Sequence, residues 1–179
     1  MTGKNKIIKP FNIVKYRLEE NDSFPNNPGL PLLIYQNALE LKDDDPALFI
    51  ENVLKDNNWK NAWRNGILDY HHFHSDSHEV LVVYRGKALV MFGGPKGPEE
   101  ILKKGDVAVL PAGTAHKRLQ SDADFACVGA YPGGRSYDMR TGADDEKEVV
   151  RKNISQVVLP VLDPIYGEEG PLKDYWQIE

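Results

Sequence analysis

Between Gly66 and Tyr131 the hydrophobic residues come in short β-rich runs cut by Gly, Pro and Asp. Val80-Leu-Val-Val-Tyr-Arg-Gly-Lys-Ala-Leu-Val-Met-Phe92 predicts two strands with a turn at Arg85-Gly86. Gly93-Gly-Pro-Lys-Gly-Pro98 is a loop, Lys103-Lys-Gly-Asp106 is a turn into Val107-Ala-Val-Leu110, and His116–Gln120 and Phe125–Tyr131 complete the set. Short strands with frequent turns predict an antiparallel sandwich or barrel. Upstream, residues 1–10 are polar and basic and predict a frayed tail. Asn12–Leu18 alternates weakly and predicts a first strand, and residues 19–31 form a loop rich in Asn and Pro. Leu32–Leu41 fits a strand passing into a short helix, and periodicity does not separate the two. The clearest helix starts at Asp45, a good N-cap, with Pro46 at the first helical position. Phe49, Ile50, Val53 and Leu54 make its apolar stripe, and it ends around Asn57-Asn58. Trp59 and Trp63 follow and are expected to pack this helix onto the body. Beyond Pro132 the pattern is irregular. Asp144–Arg151 predicts a short polar helix. Pro160, Pro164, Gly167, Gly170 and Pro171 predict an extended arm ending in an apolar anchor, Tyr175-Trp176.

Length and charge narrow the class. A chain of 179 residues is most simply one domain with a substantial core. The net charge is -5, with 27 acidic and 22 basic residues mixed along the sequence, so no basic stripe points to nucleic acid. No apolar run approaches a membrane span, and the N-terminus has no apolar signal core. The single cysteine, Cys127, forms no internal disulfide and fits a reducing cytosol, so the expected location is cytoplasmic. Within Phe-Ala-Cys-Val-Gly-Ala it reads as a small buried residue. The Gly93–Pro98 loop is a weak phosphate signal, because no helix start or Lys-Ser/Thr follows it.

The chemistry concentrates in Gly66–Gly86. Four of the five histidines, His71, His72, His74 and His78, lie there beside Glu79. His72 and His74 are two apart, so on a strand they project from one face. Glu79 opens the next apolar run after a polar turn, Ser75-Asp76-Ser77. Two antiparallel strands joined at that turn would bring all three groups together, and His116 follows a separate turn at Pro111–Thr114. Three imidazoles and a carboxylate are a ligand set for a divalent transition metal: Fe, Mn, Ni and Zn all accept it. His71 and Phe73 have the opposite phase from His72 and are expected to face outward or into a packed interface. His78 has the opposite phase to Glu79 and is expected to be structural. Tyr70 shares the phase of His72 and is a candidate pocket residue, with a core tyrosine as the alternative. Arg118 shares a phase with His116 if no bulge intervenes. It is a candidate hook for an anionic substrate, and Asp69 or Asp106 are its structural alternatives as partners.

The spacing resembles the two cupin motifs. Gly66 is followed by five residues and His72, then His74, then four residues and Glu79, then six and Gly86. Gly105 is followed by five residues and Pro111, then Ala112, Gly113 and, after two more, His116. The usual Asn four beyond that histidine is Gln120 here, a position outside the ligand set. Segments such as Phe24-Pro-Asn-Asn, Trp63-Arg-Asn-Gly, His71-His-Phe-His and Val128-Gly-Ala-Tyr-Pro132 extend the resemblance to the uncharacterised YjlB-like cupins over nearly the whole chain. The resemblance implies an all-β fold, the cupin double-stranded β-helix or jelly roll, with a few short peripheral helices and an extended C-terminal arm. It implies one domain over 1–179: a barrel core at about 64–132, a strand and helix extension over 1–63, and the arm over 133–179. Cupins of this size commonly dimerise, so a homodimer is expected.

An octahedral ion held by His72, His74, Glu79 and His116 would keep two open positions for substrate and water or dioxygen. The partial charge compensation would attract an anionic ligand. The expected function is therefore a metal-dependent enzyme, of oxygenase type or an isomerase or lyase, acting on a small anionic metabolite in the barrel. The alternative is a non-catalytic cupin that binds a small molecule or stores metal.

Overall fold

The computed structural model describes residues 4–21, 23–142 and 147–177. Its elements in chain order are β1 (Lys6–Ile7), β2 (Asn12–Tyr16), β3 (Leu32–Gln36), β4 (Leu39–Glu40), α1 (Pro46–Asp56), β5 (Trp59–Asn65), β6 (Glu79–Arg85), β7 (Lys87–Phe92), β8 (Glu99–Lys103), β9 (Val107–Leu110), β10 (His116–Ser121), β11 (Ala126–Pro132), α2 (Lys147–Gln156) and α3 (Pro171–Trp176). A six-stranded sheet runs β2-β3-β9-β6-β11-β5, a three-stranded sheet runs β10-β7-β8, and β1 pairs with β4. Every pairing is antiparallel.

Alternation along the strands assigns the faces. Leu32, Ile34, Leu81, Val83, Ala108, Leu110 and Cys127 of the large sheet join Ala88, Val90, Phe92 and Leu102 of the small sheet in one buried cluster, the barrel interior. The intervening residues, among them Leu33, Tyr35, Val80, Val82, Val107, Val109, Val128 and Ala130, form a second cluster on the opposite face, under Ile50 and Leu54 of α1 and Leu172 and Trp176 of α3. Burial on both faces explains why Val80-Leu-Val-Val83 and Val107-Ala-Val-Leu110 are continuous apolar runs. A third cluster seats Val150 and Ile154 of α2 on Phe24 and Phe73.

The helix starts as its sequence requires: the Asp45 side chain accepts from the Leu48 amide at 3.1 Å, and Pro46 occupies the first turn. Leu32–Leu41 resolves into β3, a turn and β4, with no helix. Trp59 and Trp63 lie on a strand, β5, at the edge of the large sheet. The C-terminal third contains two helices as well as extended chain. The polar helix expected from Asp144 begins at Lys147, and its residues 144–146 lie outside the described part. The Trp176 indole is buried and donates to the Pro31 carbonyl at 2.9 Å. Cys127 is buried facing the barrel interior, and burial pushes its thiol well above the ordinary range. No helix among the described residues is long and apolar enough to cross a membrane.

Candidate metal centre

His72 and His116 face each other in a single antiparallel bridge. The His72 amide donates to the His116 carbonyl at 3.2 Å, the His116 amide donates back at 3.0 Å, and the rings lie 4.1 Å apart. The turn ahead of His116 needs Gly113, at φ 92°, where a Cβ would fall 2.5 Å from the Asn26 carbonyl oxygen. Its amide donates to the His74 carbonyl at 2.8 Å and ties the two histidine segments together. Residues 70–78 form no regular strand; His72 and Phe73 make isolated bridges, to His116 and Arg140. Glu79 then opens β6 opposite Leu110. All four expected donors are buried and line one cavity of about 270 Å³.

The hydrogen bonds determine which ring atoms face that cavity. Nδ1 of His72 lies 3.0 Å from the Tyr70 carbonyl, Nδ1 of His116 lies 3.1 Å from the Thr114 carbonyl, and Nδ1 of His74 lies against the Asp138 carbonyl. A carbonyl only accepts, so each Nδ1 carries the proton. Each neutral ring therefore has its lone pair on Nε2. His74 Nε2 is 3.5 Å from Glu79 Oε1, and His116 Nε2 is 3.4 Å from Oε2. Tyr131 donates to Oε1 at 3.1 Å, whereas Oε2 is buried and has no hydrogen-bond partner. The donors converge without closing: among the described residues no group of three or more His, Cys, Asp or Glu is drawn into a ready-made cation site. Burial favours neutral His72 and His116, and once His74 gives up its proton the three rings and the unpartnered Glu79 Oε2 form a set of acceptors. Such a set fits a divalent cation. Burial alone would raise the Glu79 carboxyl, but His74, then His116 and His72, hold it at about 2. Burial, with His72 second, takes His116 down to about 3, and burial also lowers His72. Burial opposes protonation of His74 too, but Glu79 outweighs it and raises this ring.

Sequence reasoning missed the aromatic side of the cavity. Tyr131, on β11, accepts from the Trp63 indole at 2.8 Å while donating to Glu79. Tyr137 stacks on Tyr131 with centroids 4.2 Å apart and tilts against His74 at 4.7 Å. Asp138, between Tyr137 and Met139, accepts from the Ser75 amide and hydroxyl and from Arg140, which pins this segment over the histidine loop. Strand phase could have flagged Tyr131, since Cys127, Gly129 and Tyr131 share one face; nothing local marks Tyr137 or Asp138.

Two expected substrate residues are not brought to the cavity. Arg118 donates through Nε to the Ile67 carbonyl at 2.9 Å and through Nη1 to Ser121 Oγ at 3.3 Å, and is absent from the wall. It is only partly buried, and a register shift follows it on β10, so it needs no anionic partner. Asp106, its alternative partner, instead accepts from the Asn37 and Lys103 amides. Tyr70 is 47% exposed and touches His72 from outside the cavity, with rings 5.8 Å apart. His71 packs on Phe24. His78 turns away from Glu79 into the layer under α3, where Nδ1 accepts from the Ala112 amide at 2.9 Å and the ring meets Trp176 at 4.8 Å. Burial, with Arg135 adding, pushes it down to about 3.

A jelly roll holding three histidines and a glutamate at one end of its barrel is the architecture of a cupin, and the cupin family profile matches residues 63–126. The chain belongs to the cupin family. Over 161 residues it is 45% identical to the uncharacterised protein YjlB of Bacillus subtilis, covering 90% of this chain and 94% of that one. Among solved structures it is similar to a cupin-like protein from Thermotoga maritima, at 18% identity over 73% of this chain and 97% of that one, TM-score 0.37. It is also similar to acireductone dioxygenase from Bacillus anthracis with a cadmium ion in its active centre, at 16% identity over 51% and 61%, TM-score 0.37.

Proposed function

We propose that this cupin is a metal-dependent enzyme acting on a small molecule in the cavity, with His72, His74, Glu79 and His116 as the metal ligands. One observation carries the reading. Three buried imidazoles lining one cavity have Nδ1 fixed on main-chain carbonyls, and Nε2 of His74 and of His116 lies 3.5 and 3.4 Å from a carboxylate whose Oε2 has no hydrogen-bond partner. A divalent transition metal there supplies Lewis acidity and, in the case of iron, redox chemistry with dioxygen. The chain's own part is to hold the four donors, to fix Glu79 through Tyr131, and to wall the substrate from bulk water with Trp63, Leu81 and Tyr137. Low local dielectric strengthens the pull of the site on a negatively charged oxygen.

We read the chain as one domain whose barrel at about 64–132 is flanked by the extension over 1–63 and the arm over 133–179, acting in the cytoplasm as a homodimer. The test is reconstitution with Fe(II), Mn(II), Ni(II) or Zn(II), followed by oxygen uptake and product analysis with candidate substrates. Turnover with one metal, lost in His116→Ala, is the expected result. Tight ligand binding without turnover under every metal would make the protein a binding or storage cupin.

A further inference from the structure

The cavity wall beside His74 and Glu79 is aromatic, and its construction is specific. Trp63 and Gly129 are paired across β5 and β11. A Cβ on Gly129 would lie 2.2 Å from Cε2 and Cζ2 of the indole, so the ring occupies the space that only glycine leaves. The indole N–H is fixed on Tyr131, and Tyr137 lies nearly parallel to Tyr131, with an interplanar angle of 22°. Met139 extends the same wall to the mouth. Met139 is 48% exposed and Tyr137 is 38% exposed, so this part of the wall is open to an entering ligand.

The same cavity offers no second cation. Of the Lys and Arg residues among the described residues, Arg64 alone lines it. Its guanidinium is turned onto Glu51 at 2.7 Å through both Nε and Nη2, with Asp45 3.3 Å from Nη1. Arg118 is held by Ile67 and Ser121, outside the wall. A phosphate or second carboxylate on the ligand body would be desolvated against indole, phenol and thioether with no charge to answer it.

We infer that the ligand class is a compact aromatic or otherwise planar unsaturated molecule with one oxygen-donor head, such as a hydroxy acid or hydroxyketone, and no phosphate or second anionic group. This inference rests on the metal reading above for the head and on the Trp63–Tyr131–Tyr137 wall for the body. Offset stacking on such a wall adds affinity beyond the area it buries. A metal held by the four donors would answer the single anionic oxygen, leaving the planar body to the Trp63, Tyr131 and Tyr137 side of the cavity.

Three probes share an α-hydroxy-acid head and differ only in body: lactate, mandelate and 3-phosphoglycerate. The full-length protein is loaded with redox-inert Zn(II), its zinc content is measured, and each probe is titrated calorimetrically. Mandelate should bind at least about tenfold more tightly than lactate, as about 1.4 kcal/mol of added contact requires, and 3-phosphoglycerate no more tightly than lactate. In Tyr137→Ala, brought to the same measured zinc content, the ratio of mandelate to lactate affinity should fall several-fold; an unchanged ratio overturns the inference. Equal affinity of mandelate and lactate, or a preference for 3-phosphoglycerate, overturns the inference. If the protein takes up no zinc, the metal reading fails by itself. The mandelate–lactate comparison on metal-free protein then tests the aromatic wall alone, and equal or absent binding overturns it.

Discussion

Glu79 accepts from Tyr131 through one carboxylate oxygen and from no group through the other. The Trp63 indole occupies a lone pair on the Tyr131 oxygen, which leaves the phenol proton for Glu79. This relay aims the free oxygen at the imidazoles and makes Tyr131 a positioning residue for the metal. Tyr131→Phe should weaken metal affinity by about ten- to a hundredfold, read by competition with a chromogenic chelator. The ring is kept, so the fold should persist, with a stability loss of about 1–3 kcal/mol from the Trp63 N–H and Glu79 oxygen left unpaired. His78 gives a pH prediction. Its folded value, about 3, lies below the ordinary 6.5, so an unfolded chain takes the proton first as pH falls. The stability it contributes is complete above about pH 6.5. It is lost between there and about pH 3, at up to about 1.4 kcal/mol per pH unit. In His78→Asn the side-chain oxygen can still accept from Ala112 and nothing titrates. Urea unfolding between about pH 6 and pH 4.5 should show a slope shallower by about 1 kcal/mol per pH unit. An unchanged slope would assign the acid sensitivity elsewhere. At this scale the sequence is informative where spacing is fixed: His72, His74, Glu79 and His116 are legible and meet at one cavity. The partners of Arg118 and the placement of Tyr137 depend on Ile67, Ser121 and Tyr131, which no local pattern connects to them.

Among the elements, α1 was readable because its start is local chemistry. Asp45→Ala should cost about 1 kcal/mol through the lost cap. The Arg64 pair at this aspartate is exposed and adds little. The central strands were readable from their apolar runs. β5 and β8 escaped because both are sheet edges with mostly exposed side chains, Trp59-Lys-Asn-Ala-Trp-Arg-Asn65 and Glu99-Glu-Ile-Leu-Lys103, so alternation is faint. β5 nonetheless carries Trp63 into the cavity. The arm was recognisable by its Pro and Gly residues and its terminal aromatics, and α2 and α3 within it draw their order from packing. Val150 and Ile154 sit on Phe24 and Phe73, and Trp176 sits over His78. Trp176→Ala removes a fully buried indole and its bond to Pro31 and should destabilise the fold by about 3–5 kcal/mol, measured by chemical denaturation. A loss below about 1 kcal/mol would mean that α3 is peripheral.

On the scale of the whole molecule, the large sheet separates two cores. One, between the sheets, opens at its end onto the donor cluster; the other is closed over by α1 and α3. This division lets Glu79 and His78, neighbours in sequence, do opposite things: one faces the cavity and the other anchors the arm. The proposed homodimer should appear in light scattering as twice the chain mass across a wide concentration range, and a monomer throughout would reject it. The central claim is that the four donors form a metal centre. The direct test is elemental analysis of protein purified without chelators or affinity nickel, before and after addition of Fe(II), Mn(II), Ni(II) or Zn(II), beside His74→Ala. A divalent transition metal bound near stoichiometry in the wild type, and mostly lost in a His74→Ala protein that still melts cooperatively, is the predicted result. Wild-type protein that stays empty after every addition, or His74→Ala with unchanged metal content, would contradict it.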